Sequence, residues 1–378
     1  MPRSLLLAAL LLVPAALPAQ QDWTVTGRVT SSATSAPIAL AEVRTLDGKR
    51  SAFTDAAGRY TLRNVPSGPL TLRVRQVGFK FRDIPVTLPA DAAVKVRTVD
   101  VALEPVAFVL PELVTKSACE QGGFLLTQDE RLRSIFEQVR EASVRFTSLV
   151  KAYPAVVTAQ RPTWRYTSRL RQLISDQSIP DSLEGAAYRR GGILKRTGNG
   201  GWSAPIPDLG SLASDEFDRN HCFSYDGTED APAGKLIRVR FEPLVGIGSP
   251  DWEGVIFIDA TTAMPRRMEW RLTKLDPKRE PTRLEVVTIF SELYPSLIIS
   301  DSSEARFWYA PENREAMGND PDRIQAVIAR GLTFLKDEPD VAPLPRGRQL
   351  LGPLWRPKKK PPAAAPVADT SAAATVQP

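Results

Sequence analysis

The sequence predicts a mainly β protein in two folded parts. An N-terminal β-sandwich comes first, then an α+β domain with one long helix and an antiparallel sheet, then a disordered tail. Three observations predict this. Between Trp23 and Leu103, short alternating apolar runs are separated by turn residues, with no helical period. From Leu132 to Leu149, apolar residues recur every three or four positions. From residue 343 the composition shifts to Pro, Ala and Lys.

Residues 1–19 have the layout of a cleaved secretory signal: Arg3, an apolar run from Leu5 to Leu12, and the small-residue site Leu17-Pro18-Ala19. The run is too short to span a bilayer, and no later segment has 18 continuous apolar residues, so the chain is not expected to be transmembrane. No Cys follows the run, so a lipoprotein anchor is not expected. The formal net charge is +6. The tail from residue 343 contributes +5 and Arg3 the remainder, which leaves residues 20–342 neutral. A neutral body argues against a nucleic-acid face. The Lys358-Lys359-Lys360 cluster in the tail is suited to touch anionic surfaces.

In the sandwich, residues 20–104, Trp23, Val25, Gly27 and Val29 share one face of the first strand. Ile38 to Val43 make the second strand, Asp47-Gly48 a hairpin turn, and Phe53 begins the third. Asp55 to Gly58 turn the chain into Arg59–Arg63, and Pro66-Ser67-Gly68 turn it again into Leu70, Leu72 and Val74. Val94 to Leu103 read as one last strand, for six or seven in all. The Asp55 side chain is expected to cap its own turn, with a calcium ligand as the sharper alternative.

Several of these residues match together at fixed offsets: Gly27, Val29, Pro37, Ala41, Val43, Thr54-Asp55, Gly58, Tyr60, Leu62, Val65-Pro66, Gly68 and Val77-Gly78-Phe79. On them, residues 22–104 resemble the carboxypeptidase regulatory-like domain, an Ig/transthyretin-like β-sandwich. The resemblance implies a non-catalytic module of exported bacterial surface and periplasmic proteins, also found before outer-membrane receptors.

A Pro-bounded linker over 105–126 leads to the second domain, 127–342. Thr127 and Glu130 form a capping box, and the 3–4 spacing predicts a helix over 128–150. Strand patterns follow at Trp164–Ser168, Leu236–Phe241, Val255–Asp259, Met268–Leu272, Leu284–Phe290 and Arg306–Tyr309. A final short helix is predicted from Asp320 and Pro321, with Ile324, Val327 and Ile328 as its apolar face. The run from Trp252 to Asp259 and the basic–apolar strand Arg266–Trp270 are similar to LolA-like periplasmic half-barrels that wrap a helix.

Chemistry is scarce in this sequence. It has one histidine, His221, whereas a zinc carboxypeptidase site needs two His and a carboxylate, so that activity is excluded. No G-x-S-x-G elbow and no P-loop occur. No catalytic residue, metal ligand or cofactor is therefore expected. Cys119 and Cys222 read as one disulfide in an oxidising compartment, with two free thiols as the alternative. Beside that bridge, His221 reads as structural rather than as a nucleophile's base. Among the tryptophans, Trp202 sits between Gly201 and Ser203 in a loop and is the candidate for stacking on a ligand.

The expectation for the whole chain is an exported, non-catalytic binding or scaffold protein of the bacterial cell envelope. It would be periplasmic, outer-membrane associated or extracellular. Its partner would be an envelope protein, a glycan or a lipid. The alternative is a periplasmic carrier that holds a lipid or glycan on the second domain's sheet.

Overall fold

The computed structural model describes residues 22–107, 119, 122, 130–167, 170–181, 188–191, 193–196, 202–203, 209–212, 214–232, 234–276, 278, 281–311, 316 and 319–345. Residues 1–21, Thr127, most of the linker and nearly all of the tail lie outside them. The chain divides into two compact units, residues 1–105 and 106–378.

Unit 1 is a β-sandwich of eight short strands. β1 (Trp23–Ser31) pairs antiparallel with β4 (Arg59–Val65) and parallel with β7 (Val96–Thr98) and β8 (Val101–Leu103). The facing sheet runs β3 (Ser51–Phe53), β2 (Glu42–Thr45), β5 (Gly68–Arg75), β6 (Arg82–Leu88). Trp23, Val25, Val29, Tyr60, Leu62, Leu72, Val74 and Leu88 fill the space between the sheets. Strand alternation sends these side chains inward and their neighbours to solvent.

Two close approaches explain the glycine and tyrosine positions. A Cβ on Gly27 would lie 2.0 Å from the Val99 carbonyl oxygen, and the Tyr60 hydroxyl donates to that same oxygen at 2.7 Å. Gly58 turns at φ +75° with the Val29 carbonyl pressed against it. Asp55 caps its own turn: Oδ1 accepts from the Ala57 and Arg59 amides at 2.9 and 2.8 Å.

The expected second and last strands are corrected. Leu40 takes a positive φ of 54°, which breaks the extended run, so β2 starts only at Glu42. The expected strand from Val94 to Leu103 is split into β7 and β8 where Val99 crosses over Gly27. Val94 and Val96 are left 70% and 53% exposed.

Unit 2 is built on a nine-stranded antiparallel sheet. Seven strands follow one another as a meander: β13 (His221–Ala231), β14 (Gly234–Pro243), β15 (Trp252–Asp259), β16 (Pro265–Leu272), β17 (Arg283–Tyr294), β18 (Leu297–Trp308) and β19 (Arg323–Phe334). β9 (Ala155–Tyr166) then pairs with β19, and β10 (Arg171–Asp181) forms the far edge. The long helix α1 (Glu130–Ala152) packs against β18 and against the short helix α2 (Leu209–Leu212). Ile135, Phe136, Val139, Ala142 and Leu149 are buried as the period predicts. Gln138, Ser143 and Arg145 are buried too, so the helix is covered on more than its apolar stripe.

The expected terminal helix is overturned: Ile324, Val327 and Ile328 belong to β19. These β-branched residues fit a pleated strand at least as well as a helix, and β18 and β9 supply hydrogen-bonding partners on both sides. A helix there would leave both neighbouring strands with open edges.

Candidate functional site

The one histidine sits at the centre of a buried polar cluster. Ser214 caps the helix α3 (Asp215–Asn220) through its hydroxyl, and the chain turns directly into β13 at His221. His221 is fully buried, stacked on Phe217 at 3.9 Å between ring centroids and met edge-on by Tyr188 and Phe241. Nδ1 lies 2.8 Å from the Phe217 carbonyl oxygen, and Nε2 lies 2.9 Å from that of Trp252.

Asp251, also fully buried, places Oδ1 at 3.7 Å from Nε2. Its Oδ2 accepts from the Tyr188 hydroxyl at 2.7 Å and its Oδ1 from the Trp252 amide at 2.8 Å. A neutral imidazole carries one N–H, so only one of the two carbonyls is hydrogen-bonded to it at a time. Burial holds the imidazole below its ordinary pKa, against Asp251 and the two carbonyls, which pull it upward. Burial and the Asp251 carboxylate push the Tyr188 phenol up. The arrangement ties α3, β13 and the turn before β15 together. A base with no solvent access and both nitrogens facing backbone oxygens is placed for structure, not for proton transfer to a substrate.

Next to it, Cys222 is bonded to Cys119 across 103 residues, with Cα atoms 5.7 Å apart. The Cys119 carbonyl accepts from the Val245 amide at 2.9 Å. The bridge therefore fastens the segment before α1 to the edge strand β13.

The tryptophans divide by burial. Trp252, Trp270 and Trp308 are core residues. The backbone of Trp202 pairs with Arg196 in a two-residue ladder of β11 (Lys195–Arg196) and β12 (Trp202–Ser203), while its side chain lies outside the described residues.

The surface of each unit carries a depression. In unit 1, a cleft of about 620 Å³ lies beside the β2–β3 hairpin, lined by Asp22, Leu46, Asp47, Arg50, Pro69 and Leu70 among others. Leu46 is half exposed at its edge. In unit 2, a groove of about 440 Å³ crosses the sheet face that carries Arg240, Glu253, Glu269, Arg271, Glu285 and Arg306. The charges there are matched: Arg271 pairs with Glu253 and Arg240 with Asp226 across neighbouring strands, and Arg306 pairs with Glu304 along β18. Among the described residues no group of three or more His, Cys, Asp or Glu is placed to hold a metal ion.

Residues 24–104 match the family model of the carboxypeptidase regulatory-like domain. The match covers unit 1 and stops before unit 2. The carboxypeptidase regulatory-like domain is a non-catalytic module, and here its matched residues are the turn, close-approach and core positions described above. No curated protein matches the chain.

Among solved structures, the chain is similar to a putative outer membrane lipoprotein-sorting protein domain from Vibrio parahaemolyticus. Identity is 10%, over 54% of this chain and 94% of that one, with a TM-score of 0.30. A DUF1329 family protein from Desulfovibrio piger is similar at 8% identity over 54% and 95%, with a TM-score of 0.29. A cohesin–X-dockerin complex from Acetivibrio cellulolyticus is similar at 17% identity over 32% and 71%, with a TM-score of 0.18. At these scores the likenesses carry no functional argument. No helix among the described residues is long and apolar enough to cross a membrane.

Proposed function

We propose that this chain is an exported, non-catalytic binding or scaffold protein of the bacterial cell envelope. One observation carries the reading: the single histidine is sealed between two carbonyls in the core while the clefts of both units stand open at the surface. The module in unit 1 supports it, because its matched residues serve the fold and leave the hairpin cleft for a partner. The partner is an envelope protein, a glycan or a lipid. In the alternative reading, unit 2 carries a lipid or glycan on its sheet. The inner face beneath α1 and α3 is occupied by Phe136, Phe217, Phe223 and Trp270, so such a ligand would have to displace packed rings.

Co-purification after in-cell cross-linking tests both readings. A partner retained by the native chain and lost on Leu46→Asp, which charges the cleft rim, supports the binding role. A bound lipid or glycan indifferent to Leu46→Asp favours the carrier. Turnover of an envelope substrate by the purified protein would overturn both.

A further inference from the structure

The hairpin of β9 and β10 carries exposed apolar and cationic groups that the core does not use. β10 is exposed along its described length except at the half-buried Ile179, and has no strand beyond it among the described residues. Leu170, Leu173 and Ile174, near the tip, are 69%, 51% and 39% exposed. A bulge between Leu173 and Ser175 leaves Ile174 without a partner on β9, which breaks the alternation and re-aims the side chain.

Trp164 and Tyr166, on the neighbouring strand, are half-buried, and the Arg171 guanidinium lies 4.3 and 5.7 Å from their rings. Arg165 is exposed and stands opposite Arg323 in the ladder, a like-charge juxtaposition that costs stability unless an anion lies between. The hairpin, residues 155–181, holds four arginines and two acidic residues, Asp176 and Asp181, and both of these lie on β10 beyond Ile174. This contrasts with the charge-matched face of β14–β18.

We infer that the tip of the β9–β10 hairpin docks on an anionic lipid surface. Arg165 and Arg171 meet the headgroups, Trp164 and Tyr166 lie at the interfacial level that such rings favour, and the three aliphatic side chains enter the acyl boundary. The charge complementarity selects this occupant. A second copy would bring two cationic tips together, and an anionic polymer would leave Leu170, Leu173 and Ile174 in water. The inference stands apart from the binding role above, since vesicle binding and partner capture are separate readouts.

The test is co-sedimentation of the full chain with vesicles of phosphatidylcholine alone or mixed with phosphatidylglycerol, at low and moderate salt. Wild type is expected to bind only the mixed vesicles, and less at higher salt. Arg165→Gln with Arg171→Gln removes two charges near the surface and should weaken binding about 30-fold. Leu170→Ser, Leu173→Ser and Ile174→Ser together should also release the protein. All five altered hairpin side chains are exposed, and thermal melts verify that the variants fold.

Because Lys358, Lys359 and Lys360 offer a second cationic patch, their triple Ala variant is run in parallel and is expected to retain hairpin-dependent binding. The inference is wrong if the hairpin variants bind as wild type does, or if removing the tail lysines abolishes binding. A concentration-dependent dimer that the Ser variants dissolve, without vesicle binding, would assign the tip to a second copy instead.

Discussion

At His221 the surroundings decide the role. A lone histidine beside a cysteine is chemically suggestive, yet the ring is stacked on Phe217 and closed off by Tyr188 and the backbone. Stability increases with pH wherever the unfolded chain binds more protons. The unfolded imidazole titrates near pH 6.5, and burial depresses it in the folded protein. Its contribution is therefore complete above about pH 6.5 and is lost as pH falls from there toward the folded value. Urea midpoints between pH 7.5 and 5.5 should fall on acidification for the wild type and much less for His221→Asn. Equal slopes would remove His221 as the cause.

A second residue-scale test concerns Glu42 and Arg75, directly opposite each other on β2 and β5 and both buried, with Nη2 2.6 Å from Oε2. Truncating one partner strands a buried charge, so Glu42→Ala should cost about 3–5 kcal/mol in denaturant unfolding. Replacing both with apolar residues should recover most of that loss. Neither the pair nor its burial was legible in sequence, because the two residues lie 33 positions apart and meet only through strand register.

Among the elements, period and turn chemistry marked most of the strands and the long helix. Asp47-Gly48, Asp55–Gly58 and Asp259–Thr262 all turn where their side chains and glycines imply. β10 leaves no alternation to read in the sequence, because none of its described residues is buried. In β19, Ile324, Val327 and Ile328 satisfy a helical spacing, and only the pairing with β18 and β9 shows the strand. Gly27 lets the Val99 backbone cross β1. Gly27→Ala places a methyl 2.0 Å from that carbonyl oxygen. It should destabilise unit 1 by about 1–3 kcal/mol, seen as a lower unfolding midpoint of that unit. An unchanged midpoint would show that the crossing has room.

Over the whole molecule, the disulfide is the longest covalent constraint, closing a loop across 103 residues of chain. In the chain-entropy model a loop of that length is worth about 4–5 kcal/mol, and removal of native bridges commonly costs about 2–5 kcal/mol. Cys119→Ser with Cys222→Ser should lower the unfolding midpoint of unit 2 by an amount in that range and leave unit 1 unchanged. A shift of unit 1 as well would mean that the two units do not unfold independently.

Local chemistry determined much of this protein by itself. Turn residues, two-residue alternation and the 3–4 spacing of α1 depend only on neighbours in the chain, so the sandwich, the helix and most strands could be read directly. Counting was equally direct: one histidine excludes a two-histidine zinc site, and the excess positive charge falls in the tail rather than in residues 20–342. The tertiary structure alone decided what depends on distant partners. It joined β9 to β19, opposed Glu42 to Arg75, sealed His221 against Asp251 and Trp252, and set the charged side chains of β14–β18 in matched rows. It also left Leu170, Leu173 and Ile174 exposed at an edge. Register and burial are relations between segments far apart in the chain, and no window of neighbouring residues contains them.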